Sequence, residues 1–395
     1  MKTGRSFVSS GLPLPVLISQ LKTVSENFGG GLHEPLFQGN EKKYLNECIE
    51  TGFVSSAGPF VSRFEDQLAD YVGAKHAVAV TNGTAALHLA LVVAGVKPGD
   101  EVFVPALSFV ATASAVILAG ATPHFVDVSS TTWGMDPLTL ESYLEASLEK
   151  QGRSWLSKKT GKPVTALVPM HTLGHPYDIQ GIQAVAEQYG LAVVEDAAEA
   201  LGSFSRGVHV GSSGRAGAFS FNGNKTITTG GGGAIVTNDA ELAGKARHLS
   251  TTAKVPHRFE FDHDSYGYNY RMPNLNAALG VAQLEQLPSL VERQRSLHGR
   301  YETAVAELGI GALRSESPGT RSNYWLQGFV LAPEIVDRRD EIINLCLDEG
   351  IPVRPLWRPL NALKPYQNFP SAATPITEGL YKRVICFPSS ASLVP

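Results

Sequence analysis

Between Ala77 and Asp196, short apolar runs rich in valine alternate with longer stretches of helical periodicity. "AVAVT" precedes "TAALHLALVVAG", "EVFVPA" precedes "SFVATASAVILAG", "PHFVDV" follows, and "TALVPM" precedes "IQGIQAVAEQYG" and "LAVVED". A strand that is apolar at every position has no face to give to water, so helices must cover both sides of a mostly parallel sheet. The fold class is α/β. The alternation stops near Asn238, after which "ELAGKARHLSTTAK", "NLNAALGVAQLEQLPSLVERQRSLHGRYETAVAEL" and "RRDEIINLCLDEG" read as helices around the shorter "YWLQGFVLA". The chain then divides into an N-terminal segment (1–35), a large domain (36–250) and a smaller α+β domain (251–395).

With 395 residues, 43% hydrophobic and a net charge of −4, the chain can bury a sizeable core. It carries no basic patch that would track a phosphate backbone and no long block of like charge, so neither nucleic acid nor a membrane is expected as a partner. Three widely spaced cysteines, Cys48, Cys346 and Cys386, match neither a disulfide framework nor a zinc site. No metal is expected, and the compartment is expected to be reducing and cytoplasmic.

Ligands of open α/β sheets sit beyond the carboxyl ends of the strands, and four places there carry polar or aromatic residues. Gly83, Thr84 and Ala85 open a helix after "AVAV", where free amides attract an anion, although a helix cap by Asn82 or Thr84 explains the same residues. Phe109 in "PALSFVATA" follows a strand end and reads either as core or as a stacking platform. Glu195 and Asp196 close "LAVVED", and two carboxylates ending an apolar run need partners, as ligand contacts or as structural ion pairs. In "FSFNGNKTITTGGGG", Ser220 and Lys225 point toward the same end of the sheet, and four glycines let the backbone return tightly into "AIVTND". Together these form an anion cradle, an aromatic platform, a buried carboxylate and an amine. Pyridoxal 5′-phosphate requires that set: a phosphate site, a ring contact, a partner for the ring nitrogen and a lysine for the aldehyde.

The ordered series "GPFVSRFEDQLADYVGAKHAVAVTNGTAALHLAL", "EDAAEALGS", "SFNGNK" and "GYNYRMPNLNAALGVAQL" resembles the DegT/DnrJ sugar-nucleotide aminotransferases, from about Leu32 to Ser390. That resemblance implies fold type I, a large domain whose mostly parallel seven-stranded sheet is sandwiched by helices plus a small α+β C-terminal domain. It also implies that Lys225 is the Schiff-base lysine and that Asp196 partners the pyridinium nitrogen. Phe109 would stack on the ring, Gly83, Thr84, Ala85 and Ser220 would hold the phosphate, and Asn269 would reach the phosphate from a neighbouring subunit of a homodimer.

Glu199 stands where most relatives have glutamine beside the ring hydroxyl. With "PMHTLGHPYD" and "STTAKVPHRFEFDH", it resembles a narrower group that aminates UDP-4-keto-6-deoxy-N-acetylglucosamine at C4, on routes to bacillosamine and legionaminic acid. A carboxylate in that position has to be protonated or paired. L-glutamate is the expected amino donor and a UDP-linked keto sugar the acceptor, with Ser56, His175, Arg271 and Arg354 as candidate substrate contacts. A sugar dehydratase of the same fold would carry histidine in place of Lys225. A cysteine desulfurase would need a mobile cysteine in a glycine-rich loop, and a non-catalytic binder of cofactor or sugar nucleotide is the rival from another class.

Overall fold

The computed structural model describes residues 14–394. The valine-rich runs form β1 (His76–Val80), β2 (Glu101–Pro105), β3 (Thr122–Val126), β4 (Pro163–Leu167) and β5 (Ala192–Asp196), joined by β6 (Ala216–Ser220) and β7 (Gly233–Thr237). Their order across the sheet is β1-β7-β6-β5-β4-β2-β3, and a hairpin, Leu148–Gln151 with Ser154–Ser157, extends the sheet from β4. Contacts from β6 to β3 are parallel, while β7 runs antiparallel to both β6 and β1. Because β7 alone of the seven is reversed, the other six strands send their carboxyl ends to one edge. The expected mostly parallel, helix-covered sheet is present, and that edge is where the site is built.

Burial explains why these runs are apolar throughout. Val78, Val80, Val102, Val104 and Val194 contact one helical layer, which includes Gly83–Ala94 and Val110–Leu118. Ala77, Ala79, Phe219, Ala234 and Val236 face the other, which includes Pro59–Val72 and the start of the long helix Asn274–Val305.

The second unit holds an antiparallel sheet of β8 (Gly311–Leu313), β9 (Gln327–Leu331), β10 (Arg354–Pro355) and β11 (Val384–Phe387), in the order β8-β9-β11-β10. Leu14, Leu17 and Leu21 of helix Leu14–Val24 pack into its core with Leu297, Tyr301 and Phe329. The long helix runs through both cores, with Ala277, Ala278 and Val281 in the first and Leu297, Tyr301 and Ala304 in the second. A joint of Leu107, Trp133, Leu173, Trp325, Leu326 and Cys386 binds the units beside the carboxyl edge of the sheet. No described helix is long and apolar enough to cross a membrane.

Candidate active site

A cavity of about 590 Å³ opens at that edge, a size that suits a small organic ligand. Gly83, Thr84, Phe109, Asp196, Glu199, Ser220, Lys225 and Arg354 all line it. The strand order explains how residues so far apart in sequence meet: β1 delivers Gly83, β2 delivers Phe109, β5 delivers Asp196 and β6 delivers Ser220, all at the same edge.

The glycine run has a geometric reason. Gly230 takes the left-handed conformation, φ +77°, that turns the chain back into β7. Gly233 passes so close to the Asn82 carbonyl that any Cβ would collide with it. At the head of the facing helix, a Cβ on Gly83 would lie 2.7 Å from that of Ser220. Bare backbone on both sides draws the helix N-terminus and Ser220 into one cradle, where the helix dipole favours an anion.

Neighbouring carboxylates Glu195 and Asp196 have opposite fates because successive strand residues point to opposite faces. Glu195 turns away from the cavity. Its oxygens accept from the amides of Gly211 (3.0 Å), Ser213 (2.7 Å) and Gly214 (2.6 Å) and contact His171 Nε2 (3.1 Å). Those donors hold its carboxyl below the ordinary range despite full burial. Asp196 turns toward the cavity, receives one hydrogen bond from Thr112 Oγ1 (2.6 Å) and one from the Ala198 amide (3.1 Å), and is raised by burial. A buried carboxylate with two neutral donors fits a cationic ring nitrogen in the cavity.

Lys225 sits in the turn after β6, its amide donating to the Asn222 carbonyl at 3.0 Å. Its Nζ lies 3.5 Å from Glu199 Oε1 and 4.1 Å above the Trp325 ring. Glu199 Oε2 accepts from the Leu173 amide at 3.0 Å. Burial pushes the Glu199 carboxyl up to about 8, the Lys225 charge opposing and Asp196 reinforcing the rise. Glu199 is therefore both paired and drawn toward its protonated form. Phe109 heads the helix Val110–Leu118 and stays 47% exposed on the cavity wall, so it is free to offer a ring face and is not core.

An anion cradle, an exposed aromatic face, a carboxylate short of a cation and a half-buried amine fit pyridoxal 5′-phosphate. Residues 35–395 match the DegT/DnrJ/EryC1/StrS aminotransferase family. The chain belongs to this family. It is 38% identical to EpsN of Bacillus subtilis over 366 residues, covering 92% of this chain and 91% of that one. It is also 38% identical to the GDP-perosamine synthase of Caulobacter vibrioides, covering 91% and 92%. A crystal structure of a DegT DnrJ EryC1 StrS aminotransferase from Brucella abortus superposes with a TM-score of 0.81 at 30% identity, over 89% of this chain and 90% of that one. This protein is accordingly a pyridoxal phosphate-dependent aminotransferase of the sugar-modifying type.

Some expected contacts of this aminotransferase lie elsewhere. The Ala85 amide donates to Asn82 Oδ1 at 2.8 Å, so the helix cap takes the donor expected to face a phosphate. Arg271 does not line the cavity; its Nη1 pairs with Glu65 Oε1 at 2.7 Å and donates to the Ala79 carbonyl, joining the chain to β1. His175 is buried away from the cavity because its loop folds inward and sets the ring edge-on to Tyr324. Ser56 and Asn269 are exposed and outside this cavity.

Other wall residues escape motif reasoning. Trp325, the ring beneath Lys225, donates its indole N–H to the Asn224 carbonyl at 2.7 Å, and its sequence context reads only as a strand. Cys386 also lines the cavity, but burial and the nearby Glu199 push its thiol up to about 12, which leaves it un-ionised and a poor nucleophile. His33, from the segment preceding the family match, is the third.

Proposed function

We propose that this aminotransferase moves the amino group of L-glutamate to the 4-keto carbon of a nucleotide-linked 4-keto-6-deoxy sugar. The favoured acceptor is UDP-4-keto-6-deoxy-N-acetylglucosamine, and the setting is cytoplasmic amino-sugar biosynthesis. The observation that carries this reading is Lys225 Nζ, half-buried at the meeting point of Asp196, Glu199 and the anion cradle. The likeness to a GDP-perosamine synthase supports a nucleotide-sugar acceptor and makes the GDP series the competing choice of nucleotide.

Bound in the cavity, the cofactor supplies an electron sink through which an amino group passes between two carbonyl carbons. Gly83, Thr84 and Ser220 would hold its phosphate, Phe109 would cover its ring, Asp196 would keep its ring nitrogen protonated, and Glu199 would donate a hydrogen bond to its ring oxygen. Lys225 would hold its aldehyde carbon through Nζ. In the glutamate half Nζ would act as the base at the α-carbon, and in the sugar half it would act as the proton donor at C4. Asp196 would serve both halves through its contact with the ring nitrogen. Arg354, exposed at the cavity wall with no carboxylate within 4.0 Å among the described residues, pairs with glutamate's carboxylate. We extend the proposal to a homodimer in which Asn269, exposed in the single chain, reaches the phosphate of its neighbour.

The test is the visible spectrum of the holoenzyme with and without L-glutamate, followed by addition of the UDP- or GDP-linked keto sugar. Glutamate should bleach the band, and the accepted sugar should restore it. Lys225→Ala should show neither the lysine-linked band nor transfer. A wild-type band unaffected by glutamate would reject the donor; restoration by the GDP sugar alone would reject the UDP assignment.

A further inference from the structure

The same cavity has to admit two unlike substrates in turn, a dicarboxylate and a nucleotide sugar, and one wall residue suits only the second. His33 belongs to Gly31–Glu34, a strap pinned against the small unit: the Ser389 amide donates to the Leu32 carbonyl at 2.6 Å, and the Glu34 amide to Ser390 Oγ at 2.8 Å. The imidazole is 7% exposed and forms part of the wall with Lys225, Trp325 and Arg354.

The hydrogen bonds fix which ring nitrogen carries the proton. His33 Nδ1 lies 2.9 Å from Ser389 Oγ, while Ser389 Oγ itself lies 2.5 Å from the Trp325 carbonyl. A hydroxyl has one hydrogen, and a carbonyl can only accept, so Ser389 gives its hydrogen to Trp325 and must accept from His33. Nδ1 therefore carries the hydrogen. Gln294 Nε2 lies 3.5 Å from the same Nδ1 and its Oε1 lacks a partner; with the Ser389 contact fixing the hydrogen on Nδ1, the amide is assigned the other way round, its oxygen toward that hydrogen. The Lys225 carbonyl also lies near the ring, but among the described residues the ring's hydrogen-bond contacts of acceptable geometry run through Nδ1. Nε2 is left as a lone-pair acceptor. Burial, and to a lesser degree the Lys225 charge, hold the imidazole down at about 4, so it stays neutral at physiological pH.

We propose that His33 Nε2 is a specificity contact for the sugar substrate, accepting a hydrogen bond from a hydroxyl or acetamido N–H of the hexose while offering nothing to glutamate. Glutamate's carboxylates present only acceptors, which a bare Nε2 repels, and its one donor, the amino group, is committed to the reacting carbon at Lys225, so glutamate gains nothing from this side of the cavity. A hexose brings donors that need acceptors once desolvated. The cation at Arg354 and the neutral acceptor at His33 thus separate the two substrates by chemistry on a shared wall. The inference rests on the proposed nucleotide-sugar acceptor.

The experiment measures each half-reaction of the holoenzyme separately in wild type, His33→Leu and His33→Gln. The glutamate half is followed by loss of the visible band. The sugar half starts from the amine form of the enzyme, with UDP-4-keto-6-deoxy-N-acetylglucosamine and its GDP-linked 6-deoxyhexose counterpart as probes. His33→Leu should lower kcat/KM for the accepted sugar about tenfold, chiefly through KM, the loss expected for one hydrogen bond to a desolvated donor. The glutamate half should stay within about twofold, and His33→Gln, whose amide oxygen can accept, should recover much of the sugar half. Equal losses in both halves would make His33 a structural residue and overturn the inference, as would an unchanged sugar half. If wild type accepts neither sugar, the proposed acceptor class falls and this inference with it, an outcome already visible before any variant is made.

Discussion

Glu199→Gln separates charge from shape at the centre of the site. The carboxyl is raised from 4.5 to about 8, first by burial and next by Asp196, against the opposing pull of Lys225 3.5 Å away. The native state therefore keeps a proton that the unfolded chain releases near pH 4.5, and stability falls as pH rises from there to about 8. Each tenfold difference in proton affinity is worth 1.36 kcal/mol, which sets a ceiling of roughly 5 kcal/mol; the coupling to Lys225 makes a few kcal/mol the expected size. Glutamine keeps the shape and an oxygen for the Leu173 amide but cannot titrate. In thermal melts of cofactor-free protein between pH 5.5 and 8.5, wild type should lose about 4–6 °C more than Glu199→Gln, at roughly 2 °C per kcal/mol for a chain of this size. In the holoenzyme the variant should also lose one pH-dependent step in the visible spectrum. Parallel melting curves for the two proteins would refute a native-state proton on Glu199.

Two further substitutions test how the site is held. Thr112→Val deletes the 2.6 Å hydrogen bond to Asp196 Oδ2 without changing shape; the Asp196 carboxyl should rise further, cofactor affinity should weaken about tenfold by fluorescence titration, and an unchanged affinity would show that Asp196 needs no orienting hydroxyl. Asn323→Ala removes bonds from Nδ2 to the carbonyls of Glu199 (2.8 Å) and Leu201 (2.9 Å) and from the Trp325 amide to Oδ1 (2.9 Å), so denaturant unfolding should show a loss of roughly 3 kcal/mol at about 1 kcal/mol per bond.

The sequence was most legible where one local rule fixes both position and chemistry. Continuous apolar runs forced a sheet covered on both faces, and the residues at or just past the end of each run, Gly83, Phe109, Asp196 and Ser220, met at one edge because the strands that carry them run parallel. The structure departs from the expected contacts where a group has a nearer partner, in one case the helix cap already named as the alternative. Ala85 loses its amide to Asn82 one turn away, and Arg271 is claimed by Glu65, 206 residues earlier in the chain. His33 and Trp325 were missed for the opposite reason. Their identities carry no motif, and they reach the cavity only because the opening strap and the small sheet fold back over the carboxyl edge through Ser389 and Asn323.

That folding back also explains why the small unit matters to chemistry seated mainly in the large one. Asn323 lies wholly buried between them, and its side chain ties the backbone of the Glu199 loop, through Glu199 and Leu201, to the strand entry that presents Trp325. Tyr324 between them is held at φ +51°, a conformation a bulky residue adopts only when its surroundings over-determine it. Here they do: Ser322 Oγ accepts from the Tyr324 amide at 3.0 Å, and the Tyr324 ring stacks on His298 at 3.8 Å. The bend turns Trp325 toward Lys225, where its ring face covers the amine and its carbonyl fixes the Ser389 hydrogen that leaves His33 an acceptor. One constrained turn in the small unit therefore sets both the environment of the Lys225 amine, the proposed reactive group, and the polarity of the wall proposed to meet the sugar.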